Sequence, residues 1–280
     1  MLSIKKAFST TNRNLIIPTP QILYIIISSL FLKFTMSSNP KQMIASLVVY
    51  VLMTGAFLSG WFAMIKDAVV TPENESKTSY DLLKVFLQGV GNKFLTYTAG
   101  IVLYSAMLFG VALGAYKCAV KYIGQFPIPV DVLNATMNSP ETLKQFVSSM
   151  PVEDLIKVNQ WNMLFLLFVL VFMFITMFWI PEIEFGGKNI FVSFFNSIKN
   201  LFGKFFKNLV LFLFMFFIYL FVSMLSTFAM VNNVLYFVSV LLSIYSTVYI
   251  VVLLFQYYEE QFEGRSDSGS DSEREDQTCN

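Results

Sequence analysis

The stretch from Trp161 to Ile180 reads WNMLFLLFVLVFMFITMFWI, twenty residues without one charged side chain. A helix of about 20 such residues spans the roughly 30 Å hydrocarbon core of a bilayer. Trp161 and Trp179 are 18 positions apart, or about 27 Å at 1.5 Å per residue, which is the separation of the two aromatic belts of a membrane. This stretch therefore predicts a transmembrane helix.

Five further apolar blocks of similar length occupy about 16–35, 42–65, 94–116, 208–230 and 234–256. Over the whole chain 56% of residues are apolar and 13% are charged, against about 25% charged in soluble domains. The predicted fold is an all-α polytopic membrane helical bundle, with six transmembrane helices numbered spans one to six in chain order. A signal peptide is the alternative for the first block, but no clear A-x-A cleavage site follows it.

The sequence contains no histidine and only two cysteines, Cys118 and Cys279. Histidine is the usual general base at neutral pH and the commonest metal ligand, and two cysteines 161 positions apart have no metal-ligand spacing. The net charge of +1 does not favour a nucleic-acid partner, which requires a basic surface. No catalytic residue, metal ligand or cofactor site is predicted, and the chain is predicted not to be an enzyme.

Basic residues are unevenly distributed between the two sides of the membrane. With the amino terminus inside, the inner segments hold thirteen Lys and Arg residues and the outer segments hold six. Because basic residues favour the cytoplasmic side, both termini are predicted to be cytoplasmic, in the cell inner (plasma) membrane. Residues 1–258 are predicted to form a single integral membrane domain, and the acidic residues 259–280 a disordered tail with little apolar surface to bury.

Three inner segments, each preceding a pair of spans, are predicted to be amphipathic helices at the membrane interface. The most regular is 189–207, where Phe side chains are predicted to contact acyl chains and Lys side chains to contact headgroups. Its predicted interfacial residues are Phe194, Phe195, Lys199, Phe202 and Lys204. Shorter versions are predicted at 81–93 and at the start of the chain. The unit of one amphipathic helix followed by two spans thus occurs three times. It is either a true internal repeat or the pattern that any protein of helical hairpins with basic inner loops would show.

Small side chains recur at helical spacing within three of the spans. Such stripes let helix backbones approach closely, so spans two, three and six are predicted to form the inner bundle, while spans four and five face lipid. The predicted helix-packing residues are Gly55, Ala56 and Gly60 in span two, Ala106, Gly110 and Gly114 in span three, and Ser239 and Ser243 in span six. Span two or span six is the expected partner of Gly114. The stripes are either packing seams or the lining of a solute pathway.

Two loops carry further polar features. In the outer segment 117–160, Ser139-Pro140-Glu141 predicts a helix start, and Asn134-Ala135-Thr136 is a glycosylation sequon. On the inner side, Glu182 and Glu184 directly follow span four. They are predicted to be solvated loop charges, and the alternative is a site for a cation or a lipid amine.

One segment resembles a known group of membrane proteins. Pro181-Glu182-Ile183-Glu184, followed by FFNSIKN at 194–200 and a Phe-rich hairpin, is similar to uncharacterised bacterial six-span proteins related to the membrane domain of glycerophosphodiester phosphodiesterases. The resemblance covers most of the chain in architecture, but its residues lie within about 180–230. It implies an integral bacterial membrane protein. It supplies no catalytic residues, and the phosphodiesterase catalytic domain is not part of this chain.

Two functions fit these patterns. The first is a membrane scaffold or assembly factor without a catalytic site, whose partners are membrane lipid and other membrane proteins. The second is a permease or lipid-handling protein with an uncharged pathway between spans two, three and six. A continuous cavity between those spans would favour the second function, and a tightly packed bundle would favour the first.

Overall fold

The computed structural model describes residues 2–35, 40–72, 77–128, 132, 146, 148–187, 189–229 and 232–263. Every secondary-structure element within these ranges is helical. The elements are α1 (Leu2–Arg13), α2 (Pro18–Thr35), α3 (Pro40–Val70), α4 (Ser79–Tyr122), α5 (Val152–Thr176), α6 (Trp179–Gly186), α7 (Ile190–Gly203), α8 (Phe205–Ala229), α9 (Asn233–Tyr258) and a π-helical turn (Glu259–Glu263). The predicted all-α class is confirmed.

Five helical segments are long and apolar enough to cross a membrane. They are Pro40–Val70, Ser79–Tyr122, Val152–Gly186, Phe205–Thr227 and Val234–Glu263. A sixth crossing is formed if Ser3–Arg13 and Pro18–Phe31, which are bent by 72° at a short break, count as one span. The protein is therefore a multi-pass membrane protein with five or six spans.

The break between α1 and α2 has an identifiable cause and a fixed position. Pro18 is the first residue of α2, the place where a helix tolerates proline because no backbone donor is needed there. The Trp61 indole Nε1 donates to the backbone oxygen of Ile17 at 3.0 Å, and Ile17 is fully buried. Through this hydrogen bond α3 fixes the position of the break. α1 is a separate amphipathic helix, bent by 72° from α2.

The three predicted surface helices differ in how they join their spans. α7 is a separate helix before α8, close to the predicted 189–207. Residues 81–93, by contrast, are part of α4, which runs unbroken for 44 residues. The prediction of a separate helix there is wrong. Gly89 and Gly91 fall in this stretch, but neither adopts a positive φ, and without proline nothing terminates the helix.

The chain forms two compact units, Met1–Val102 with Thr176–Asn280, and Leu103–Ile175. The smaller unit packs around Trp161, whose ring centroid lies 5.7 Å from Tyr116, 5.3 Å from Phe126 and 6.0 Å from Phe165. Trp161 is 5% exposed. The tryptophan predicted to lie in an interfacial belt is thus a core residue of its unit.

Span three meets span four within this smaller unit. A Cβ built on Gly114 would lie 3.9 Å from Phe168 Cε1 of α5, an ordinary contact. A Cβ on Gly110 would meet no described atom within 4 Å, and Ala106 is exposed. The neighbour found at Gly114 is therefore α5, where the sequence predicted span two or span six.

The close helix contact of the larger unit lies between α3 and the first half of α4. A Cβ on Gly60 would come within 2.7 Å of the Phe86 backbone oxygen, and one on Gly55 within 2.3 Å of Thr98 Oγ1. From the opposite side, a Cβ on Gly89 would come within 2.6 Å of Ala63 Cβ. Glycine is required at these positions because the two backbones touch.

Some predicted features lie outside the described residues. These are the helix start at 139–141, the sequon at 134–136 and the tail from 264 onward. The first residues assigned to the tail are described and are helical. Glu259–Glu263 extend α9 as a π-helical turn, and Phe262 packs against Phe178 at 5.6 Å between ring centroids.

Gly60→Ala is predicted to destabilise the protein, because the added methyl group meets backbone and cannot be accommodated by a side-chain movement. The matched control is Gly110→Ala, where the space is open. Alanine favours a helix over glycine by about 1 kcal/mol, so the control should be neutral or slightly stabilised. Thermal unfolding of both variants in the same detergent measures the difference. Equal melting temperatures would contradict the contact between α3 and α4.

Candidate functional site

The candidate site is a pair of buried carboxylates on α6, the short helix after span four. Glu182 is 4% exposed and Glu184 is 2% exposed. The prediction that they are solvated loop charges is wrong. α6 ends at Gly186 and is followed by Gly187, whose φ of 57° is readily adopted by glycine at a helix C-terminus. The Trp179 indole donates to the backbone oxygen of Ile190 at 3.0 Å and so fixes α6 against α7.

Glu184 is held by α3 and α4. The Lys93 ammonium lies 2.9 Å from Glu184 Oε2, and the Tyr97 hydroxyl donates to Oε1 at 2.7 Å. The Lys66 ammonium donates to the backbone oxygen of Glu184 at 2.6 Å and lies 5.1 Å from the centre of the Phe185 ring. Glu184 thus has a cation for its charge and donors for both carboxylate oxygens.

Both lysines also satisfy the end of α6. Lys93 donates to the backbone oxygens of Ile183 and Glu184 at 3.2 Å each, and Lys66 shares the second of these. The last carbonyls of a helix have no partner inside the helix, and the negative end of its dipole attracts cations. The lysines therefore compensate a carboxylate and a helix end together.

Glu182 is held by α7 and by the end of α9. The Asn196 amide donates to Oε1 at 3.0 Å and the Asn200 amide to Oε2 at 3.2 Å. The Tyr258 hydroxyl also donates to Oε2, and Tyr258 is 1% exposed. A Cβ on Gly186 would lie 3.0 Å from Glu182 Oε1, so glycine leaves the carboxylate room. We call Glu182, Glu184 and these partners the carboxylate network.

Asn208 extends the network to the junction of α7 and α8. Its amide nitrogen donates to the backbone oxygens of Leu201 at 2.7 Å and Asn200 at 3.2 Å, while its oxygen accepts from the Tyr257 hydroxyl at 2.8 Å. Asn208 is fully buried. One side chain therefore satisfies the end of α7, fixes the turn into α8 and contacts α9.

The polar face of α7 points into the protein. Ser193 and Ser197 are fully buried, while Phe191 is 56% exposed, Phe195 67% and Phe202 59%. Among the predicted interfacial residues, Lys199 is also exposed and Phe194 is half-buried, with its ring 5.3 Å from that of Trp179. Lys204 points inward and donates to the backbone oxygen and to Oε1 of Gln261, both at 2.9 Å.

The predicted helix-packing residues of spans two and six lie in several places. Gly55 and Gly60 form the contact with α4 described above, and Ala56 lines an apolar groove between α2, α3 and α4. Ser239 is buried and donates to the backbone oxygen of Tyr236 at 2.8 Å. Ser243 lines a cavity between α8 and α9. The structure does not gather these residues into one site.

The sequence contained a signal for the carboxylate network. Polar residues recur at positions 193, 196, 197 and 200, which form one continuous stripe on a helix. This stripe predicts a polar face but not what the face contacts. From the sequence alone, contact with headgroups is the expectation. Local periodicity does not show that a buried acidic residue lies across from it.

Chemically, the network is suited to holding helices together. The carboxylate oxygens of Glu184 and Glu182 accept hydrogen bonds from three helices, α4, α7 and α9. A fourth helix, α3, contributes Lys66, which donates to the backbone oxygen of Glu184. Within the part of the chain that the structure describes, no group of three His, Cys, Asp or Glu side chains is placed to hold a metal ion.

Glu184→Gln is predicted to lower the free energy of unfolding by about 3 kcal/mol, because removing one partner of a buried ion pair leaves the other uncompensated. The Lys93 side chain is only 28% exposed and regains little hydration. Glu153→Gln, at an exposed position of α5, is the matched control. Thermal unfolding in detergent measures both variants, and a Glu184→Gln protein as stable as the control would overturn the role assigned to the pair.

Comparison with known proteins gives no family. No protein-family model, no curated protein and no solved structure matches the chain. What the protein does is therefore inferred from its own residues and contacts.

Proposed function

We propose that the protein is a non-catalytic membrane scaffold that holds two surface helices, α1 and α7, at one end of the bundle. The observation that carries this proposal is the orientation of α7. Its polar face is bound inside the protein by the carboxylate network, and its Phe face is left exposed. A helix fixed in this way presents a constant apolar surface to lipid or to another membrane protein.

The charges beside the Phe face support membrane lipid as one partner. Lys199 and Lys207 are exposed, next to the exposed rings of Phe195 and Phe202. Aromatic side chains that enter the acyl boundary, with lysines at headgroup level, are typical of helices that lie on an anionic leaflet. Lys204 takes no part in this surface, since it is bound to Gln261.

α1 repeats the arrangement at the start of the chain. Thr10, Thr11 and Asn14 are buried, while Phe8 is 55% exposed. The Lys6 ammonium lies 3.2 Å from Glu260 Oε1 in the turn after α9, and the Ser3 hydroxyl donates to Oε2 of the same residue at 2.5 Å. α1 is therefore fastened by polar contacts and exposes an apolar side chain, as α7 does.

These contacts support a common side for both ends of the described chain. The pairs of Lys6 with Glu260 and of Lys204 with Gln261 bring α1 and the junction of α7 and α8 to the turn after α9. In our proposal this end is cytoplasmic, because the basic residues concentrate there. A bacterial inner-membrane location, which the resemblance of residues 180–230 implies, is part of this proposal.

The lipid-handling alternative has one observation in its favour. A cavity of about 480 Å³ lies between α2, α3 and α4, lined by apolar side chains and by Tyr24. It involves spans one, two and three, whereas the sequence suggested a pathway between spans two, three and six. The backbones of α3 and α4 touch at Gly60, which supports close packing over a pathway at that contact.

The proposed sidedness predicts where an impermeant thiol reagent reacts in intact cells. In a background with Cys118→Ser and Cys279→Ser, Val152→Cys at the exposed start of α5 should be labelled from outside. Lys84→Cys, exposed on α4, should be labelled only after the membrane is permeabilised. Labelling of Lys84→Cys in intact cells, or failure to label Val152→Cys, would reverse or exclude the proposed orientation.

The scaffold proposal predicts that a partner membrane protein is retained through the Phe face of α7. The tagged full-length chain, extracted in native-lipid nanodiscs, should carry a partner in constant ratio. Phe195→Ser combined with Phe202→Ser should reduce that ratio at least fivefold. The control is Phe217→Ser combined with Phe221→Ser, which makes the same change at exposed positions of α8 and should retain the partner.

Two results would contradict the scaffold. One is a wild-type chain that is extracted with lipid but without a partner protein. The other is equal loss of partner from both double variants. If the purified chain in liposomes also exchanges a fluorescent lipid between leaflets, and filling the groove by Ala56→Leu stops the exchange, the lipid-handling alternative is correct.

A further inference from the structure

A cavity of about 230 Å³ lies between α8 and α9, within the last transmembrane hairpin. At about 30 Å³ for each water molecule, this is room for a ligand of roughly eight water volumes. Six of its lining residues carry hydroxyl groups, and they are Tyr219, Ser223, Ser226, Ser243, Ser246 and Thr247. The rest of the lining is aliphatic, from Val222 and Ile250. A polar cavity therefore lies between two otherwise apolar helices.

The hydroxyl groups differ in how they are bonded. Ser226 donates to the backbone oxygen of Val222 at 3.0 Å, and Thr247 to that of Ser243 at 2.8 Å, the usual way in which a helix satisfies such donors. Ser246 is only 9% exposed. Among the residues that the structure describes, its hydroxyl has no hydrogen-bond partner. The hydroxyl of this largely buried residue thus lines the cavity with its bonding capacity unused.

This combination calls for an occupant that forms hydrogen bonds. An unpaired hydroxyl is unfavourable in an apolar medium, and in the hydrocarbon region lipid tails cannot pair it. The lining residues carry no charge, so nothing in the cavity would compensate an ionised ligand. The two aliphatic side chains suit the carbon skeleton of a ligand that bears several hydroxyl groups.

We propose that this cavity binds a small uncharged group bearing several hydroxyls, supplied either by a free polyol or by the headgroup region of a neutral lipid. Ser246 and Ser243 of α9 donate to it, and Tyr219 and Ser223 of α8 close the opposite wall. The site is separate from the carboxylate network and from the Phe face of α7. It therefore adds a ligand to the proposed scaffold without depending on it.

The test measures binding to the full-length chain in detergent by the concentration dependence of its melting temperature. The probes are erythritol, a short-chain ceramide, and the same ceramide with a phosphate on its primary hydroxyl. One uncharged probe should stabilise the wild-type chain saturably, and the phosphorylated ceramide should not. Ser246→Ala should raise the apparent Kd of that probe at least fivefold, because one hydrogen bond is lost. Ser243→Ala, which removes the second proposed donor, should also raise this Kd.

The matched control is Ser239→Ala, about two turns away on the same helix, whose hydroxyl is already bonded to Tyr236 and does not line the cavity. It should bind the probe as the wild type does. Saturation by erythritol assigns the site to a free polyol, and saturation by ceramide alone assigns it to a lipid. Stabilisation by no uncharged probe, equal binding of the phosphorylated ceramide, or the same Kd in Ser246→Ala and Ser239→Ala would overturn the proposal.

Discussion

The fold depends on compensating two carboxylates that lie out of contact with water at the end of span four. A buried charge without a partner is strongly unfavourable, so Glu184 requires the Lys93 ammonium at 2.9 Å and the Tyr97 hydroxyl. Because these groups belong to α4, and Lys66 of α3 binds the same helix end, α3 and α4 must both meet the end of α6 there. Glu182 places the same requirement on α7 and α9 through Asn196 and Tyr258.

This requirement explains why α7 carries its polar residues inward. In water, an amphipathic helix hides its apolar face, but beside a bilayer both the protein interior and the lipid are available to it. The Asn196 amide donates to Glu182, and the Asn200 amide donates to Glu182 and to the Tyr258 hydroxyl, whereas exposed rings such as those of Phe195 and Phe202 enter acyl chains at little cost. The helix is therefore oriented by its polar hydrogen bonds, and its apolar face is left exposed.

The sequence predicts the elements well and their partners poorly. Spans two to six coincide with helices to within a few residues, apart from the early starts of α4 and α5, because hydropathy reports directly on the surrounding medium. Burial of Glu182 and Glu184 was not predictable in this way, since it depends on Lys93 and Asn200, which are remote in sequence. The glycines were recognised as contact residues, but Gly60 meets Phe86, in a stretch of α4 assigned to the surface. A local pattern identifies a polar or an apolar helix face, but only the fold shows which residues contact that face.

The hydroxyl-lined cavity follows a different physical rule from the carboxylate network. Near the end of the bundle, loops and helix ends bring donors from several elements, so that a buried acid such as Glu184 is satisfied within the protein. The cavity of the hairpin is lined by α8 and α9, and the backbone groups of these two helices are already bonded along each helix. In our proposal, a hydroxyl such as that of Ser246, which does not bond to its own helix, finds its partner in a bound molecule. Polar groups at the end of the bundle thus stabilise the fold, while those within the hairpin favour a ligand.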